Sequence, residues 1–154
     1  MATKDTYEVV RSTEIAAPAS TVHGLIADFH EWTKWSPWED LDPALERTYG
    51  GSDRGTGATY AWKGNRKAGQ GRMEIKGDTP DEVVVAVDFV KPFKSSSTAT
   101  FSLEETGSST HVTWTMVGPR TFMTKVMGVF TSMDKMIGPD FEKGLDQLSK
   151  AATA

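Results

Sequence analysis

Apolar and polar positions alternate along much of the chain as far as residue 117 and then settle into three- and four-residue steps, which predicts strands followed by one long helix. In 81–91, Val83, Val85, Val87 and Phe89 take one side while Asp88 takes the other. In 110–117, Val112, Trp114 and Met116 oppose His111, Thr113 and Thr115. That is a sheet with one wet face. The same period appears in Tyr60/Trp62, Met73/Ile75 and Ala99/Phe101/Leu103, with Gly64-Asn65, Thr79-Pro80-Asp81 and Thr106-Gly107-Ser108-Ser109 as turns between the segments. Sequential hairpins, about seven strands and an antiparallel sheet follow.

Residues 6–16 form the first strand in this reading, and Pro18-Ala19-Ser20 supplies a stop and an N-cap for a helix at about 20–29, with Val22, Leu25, Ile26 and Phe29 on its buried face. A second short helix is expected at about 30–36, ending before Pro37. After Gly118-Pro119, the recurrence of Phe122, Val126, Phe130, Met133, Ile137, Phe141, Leu145 and Leu148 marks an amphipathic helix of about 30 residues. Gly138-Pro139 falls inside it and predicts a kink or a break.

A flat sheet of seven strands would be about 34 Å wide, against about 10–12 Å for one helix, so the sheet must curl around the helix. The glycines at 50, 51, 55, 57, 64, 69, 71 and 77 permit the bends and bulges this needs. A half-barrel of this kind either packs solid with large side chains or keeps volume for a ligand. The side chains placed inward are Tyr60, Trp62, Met73, Phe89, Phe101, Trp114 and Met116 from the sheet, with Met127, Phe130, Met133 and Ile137 from the helix. Aromatic walls and adaptable methionines suit an apolar guest as well as they suit a core. Trp35 belongs to a cluster with Trp32 and Trp38 at three-residue steps, placed to gate a cavity or to plug its end. Arg11 shares a strand face with Tyr7, Val9 and Ile15, so it is either a polar anchor for a ligand or an exposed arginine at a strand edge.

Composition narrows the classes. With 154 residues, one domain over 1–154 is expected. No run approaches the ~18 apolar residues of a membrane span, so no integral membrane association is expected. The start MATKDTYEVV lacks a secretory signal, which gives a cytoplasmic expectation. There is no cysteine, and the net charge of -4 argues against a nucleic-acid partner. His30-Glu31 begins like a zinc-protease helix, but Lys34 stands where the second ligand would be. Gly64 and Gly69 have phosphate-loop spacing, yet Gln70 and Gly71 replace the lysine and hydroxyl that motif needs. His23, His30 and His111 fall on different segments, and Glu74 and Asp88 point outward. No catalytic set, metal or cofactor is therefore expected.

Several fragments, in order, carry a family resemblance. They are Ile15-Ala16-Ala17-Pro18 followed by Val22, Ala27-Asp28-Phe29 running into Trp32 and Trp35-Ser36-Pro37-Trp38, Gly57-Ala58-Thr59-Tyr60, Trp62-Lys63-Gly64-Asn65 and Gly69-Gln70-Gly71-Arg72-Met73. Phe89, Pro92-Phe93, Thr110, Val112, Trp114 and Phe141-Glu142-Lys143-Gly144-Leu145 complete the set. The chain resembles the START/Bet v 1-like superfamily, and more closely its bacterial polyketide cyclase/dehydrase and lipid-transport group (SRPBCC). The resemblance implies an α+β helix-grip fold, a curved seven-stranded antiparallel sheet around a long C-terminal helix with two short helices after strand 1. It also implies a small hydrophobic partner, a lipid, sterol or polyketide-like molecule, held between sheet and helix. Two other functions stay open: a polyketide cyclase or dehydratase, and a protein-binding module like the activators of the Hsp90 chaperone. Monomer and homodimer both stay open.

Overall fold

The alternating segments form one antiparallel sheet. In the computed structural model, which describes residues 6–38, 42, 44–65, 69–91, 94–119 and 133–153, its strands are β1 (Thr6–Ile15), β2 (Glu46–Gly51), β3 (Ala58–Lys63), β4 (Gln70–Thr79), β5 (Glu82–Lys91), β6 (Ser95–Thr106) and β7 (Ser109–Pro119). Their order is β1-β7-β6-β5-β4-β3-β2, so the first strand pairs with the last and β2 forms the far edge. The sheet curves around a C-terminal helix, here α2 (Met133–Thr153), whose closest strand partner is β1.

The inner face is the one the alternation marks. Val9 and Ile15 of β1, Val83 and Val85 of β5, Phe101 and Leu103 of β6, and Val112 and Trp114 of β7 are all buried, together with Phe141, Leu145 and Leu148 of α2. Curvature enters at β4, where the register with β5 slips between Gln70 and Gly71 and again between Ile75 and Gly77. The first slip leaves Val90 without a partner on β4, and its side chain is 41% exposed. Gly71 is required there: a Cβ would come 2.4 Å from the Trp62 ring and 2.6 Å from the Asp88 carbonyl oxygen.

Three local expectations are corrected. The first helix, α1, spans Ala19–Ile26 rather than about 20–29, because Asp28 adopts an extended conformation and caps a separate 3-10 helix over Phe29–Lys34 by accepting from His30 N–H. The start of α1 is not capped by Ser20: the N–H of Ala19 donates to the carboxylate of Glu105, near the end of β6, at 2.6 Å. An acid at this position also complements the positive end of the helix dipole. Of the kink or break expected at Gly138-Pro139, the break is corrected: Pro139 lies within α2, which continues to Thr153. The stretch 120–132, where the long helix was expected to begin, lies outside the described residues.

Candidate functional site

The inner face divides into two regions. One is a closed block of rings. Trp114 stacks on Phe141 with centroids 4.0 Å apart and planes within 4°, leans on Phe101 at 4.8 Å, and meets Trp35 and Trp38 edge-on, each at 5.7 Å. Phe29 and Trp32 extend the block from the 3-10 helix toward Tyr60. Two of its indoles have main-chain duties: Trp35 Nε1 donates to the Leu25 carbonyl and Trp32 Nε1 to the Ile26 carbonyl, each at 2.8 Å. These are last-turn carbonyls of α1, which lack intrahelical partners. The tryptophan cluster thus fastens α1 to the core, and Trp35, Phe101 and Trp114 are buried in contact with one another.

The second region lies over β3, β4 and β5. Trp62, Met73 and Phe89 share the inward parity of buried Tyr60, Ile75 and Val87 but are only half-buried, as is Ile137 on α2. Trp62 meets Phe89 edge-on at 5.8 Å, beside the bare backbone of Gly71. Toward β1, Met116 and Ala99 are buried on the same face. Next to them Tyr7 Oη and Ser97 Oγ lie 2.8 Å apart, both residues buried. Burial raises the Tyr7 phenol above its ordinary value of 10.0, partly offset by the bond to Ser97. Ser97 was not singled out from the sequence, although the parity of Ala99, Phe101 and Leu103 carried back along β6 would have placed it inward.

The remaining candidates are placed as follows. Arg11 turns toward α2, where Nε donates to Glu142 at 2.8 Å and the guanidinium covers Gly138. Met127 and Phe130 lie outside the described residues, as does the side chain of Met133. The three histidines occupy separate places: His23 pairs with Asp78, His30 with Asp28 and His111 with Glu14. Among the described residues no group of three or more His, Asp or Glu is arranged to hold a metal ion, and no helix is long and apolar enough to cross a membrane. A shallow pocket of about 440 Å³ on the outer face is lined by Asp81, Glu82, Glu104 and His111 among others, polar where the inner face is apolar.

Known proteins bear on this arrangement. The family model described as polyketide cyclase / dehydrase and lipid transport matches residues 6–153. No curated protein matches the chain. Among solved structures, protein Ms6760 from Mycobacterium smegmatis is 22% identical with a TM-score of 0.63, over 95% of this chain and 90% of its own. Protein CV1439 from Chromobacterium violaceum is 12% identical with a TM-score of 0.66, over 99% of both chains. DynU16, a protein of the dynemicin biosynthetic locus, is 13% identical with a TM-score of 0.64, over 96% of this chain and 47% of its own. At these identities the likeness is one of fold.

Proposed function

Because the chain belongs to the polyketide cyclase / dehydrase and lipid transport family, we propose that it binds a small hydrophobic molecule between the inner face of the sheet and α2, and carries it without converting it. The observation behind this reading is the half-buried group Trp62, Met73 and Phe89: large apolar side chains on the core side of the sheet that the core does not fully cover. Burying the rest of that area under a ligand is favourable by about 25 cal/mol per Å². Tyr60 and Met116 would floor the site and Ile137 would close it from the helix. Arg11 is held by Glu142, so a charged head group would have to compete with that carboxylate. Carriage rather than conversion is favoured by the histidines, each paired on a different element and none facing another.

Native mass spectrometry of gently purified protein, with solvent extraction, tests the reading together with titration of a fluorescent fatty acid. A co-purifying apolar mass or a saturable isotherm is the expected result. Absence of both would overturn it.

A further inference from the structure

The Tyr7–Ser97 pair is unusual for a core. Tyr7 is 8% exposed and Ser97 6%, they come from β1 and β6, and the strand between them, β7, accommodates them by having no side chain at Gly118. A Cβ there would come 2.3 Å from Ser97 Oγ and 2.9 Å from Tyr7 Oη. The fold therefore keeps a space for two hydroxyls above a glycine on the inner face.

Two hydroxyls carry two hydrogens, and the bond between them uses one. The other hydrogen has no acceptor among the described residues. A phenol is protonated at neutral pH and burial raises Tyr7 further above 10.0, so the pair remains a donor. An independent observation on the same face has the same sign: Trp114 Nε1, in a residue 2% exposed, has no hydrogen-bond partner among the described residues, whereas the indoles of Trp32 and Trp35 are both satisfied. An indole N–H can only donate. Buried donors left without acceptors are costly and rare in native cores, so the spare hydrogen of the Tyr7–Ser97 pair calls for an explanation of its own.

We infer that the ligand is a neutral, largely apolar molecule bearing a hydrogen-bond-accepting oxygen, such as a ketone, and that the Tyr7–Ser97 pair binds this oxygen. The inference rests on the binding reading above and adds the ligand's chemistry to it. A hydrocarbon would leave the donor unmatched. A buried carboxylate would need a cation, and the cation on the inner face of β1, Arg11, is engaged by Glu142.

The test uses two rigid neutral probes with one ring skeleton, fluorene and 9-fluorenone, which differ by a carbonyl. Affinities are measured by calorimetry or tryptophan quenching on the full chain. The wild type is expected to bind fluorenone about five- to tenfold more tightly, the size of one neutral hydrogen bond. The bound ketone's carbonyl stretch should move to lower wavenumber. Tyr7→Phe and Ser97→Ala should each keep the preference, because the remaining hydroxyl still carries a hydrogen. The double variant should lose it while binding fluorene as before. Equal affinity of the wild type for both probes with an unshifted carbonyl stretch overturns the inference alone, and so does a preference that survives in the folded double variant. Loss of the preference in Trp114→Phe but not in the double variant moves the anchor to the indole and overturns the assignment to the hydroxyl pair. Binding of neither probe, together with no uptake of fatty acid, overturns the carrier reading and this inference with it. If the double variant does not fold, the carbonyl stretch in wild-type protein decides.

Discussion

Gly144 of α2 lies against the edge of Trp114: a Cβ at this position would come 2.9 Å from Cζ3 of the indole and 2.9 Å from Cδ of Pro37. The glycine sets how closely the helix approaches the sheet. In an exposed helix interior, Gly→Ala stabilises by about 1 kcal/mol. Here the methyl meets a rigid ring and a proline, and overpacking of this kind costs about 1–3 kcal/mol. Gly144→Ala is therefore expected to lower stability, reversing the usual sign. Urea unfolding measures it, and a stabilised variant would show that the helix can shift outward freely.

Trp35 and Trp114 touch each other but differ in one bond. Trp35→Phe leaves the Leu25 carbonyl unsatisfied in the core, whereas Trp114→Phe removes an N–H that has no protein partner among the described residues. Trp35→Phe should be the more damaging by about 1–2 kcal/mol. Equal losses on thermal denaturation would mean that the Leu25 carbonyl finds another donor.

Glu105 caps α1 from the end of a strand distant in sequence. Glu105→Ala should cost about 1 kcal/mol, the usual size of a lost N-cap, and Glu105→Gln less, since its amide oxygen still accepts. The loss should appear first in hydrogen exchange of the α1 amides. Unchanged protection in α1 would contradict the capping role.

Tyr7 makes stability depend on alkaline pH. Its folded value is raised above 10.0, so the unfolded chain loses the phenolic proton first. The contribution is complete below the unfolded value and declines as pH rises past about 10 toward the folded value. Between pH 9 and 11 the melting temperature of the wild type should fall more steeply than that of Tyr7→Phe. Parallel curves would place the phenol in a water-like setting.

How much of this was legible in the chain depended on whether a residue's partner is local. β5 and β7 were clear because Val83, Val85, Val87, Val112 and Trp114 alternate with polar residues on a half-buried surface. β2 carries no such signal: as an edge strand it is largely exposed, and only Tyr49 turns to packing, against His30 and Tyr60. Strand parity gave the inner face of β1 correctly for Arg11, but Glu142 lies 131 positions away, and no local pattern connects them. Ser97 was obscured by its setting in a run of serines, and its pairing with Tyr7 spans 90 positions. The Glu105 cap was hidden for the same reason, since a tertiary carboxylate replaces the local side chain that sequence rules look for.

The pairing of β1 with β7 also has a consequence in time. β1 leaves the ribosome well before β7, since its partner residues run from Thr110 to Pro119, more than 90 positions later. At about 5–20 residues per second the N-terminal strand waits roughly 5–20 s before its ladder can form. During that wait β1 exposes both edges and an apolar stripe of Tyr7, Val9 and Ile15. The charged and hydroxylic residues interleaved with the stripe, Glu8, Ser12 and Glu14, therefore serve the nascent chain as well as the folded one, keeping an unpaired strand from joining the wrong neighbour.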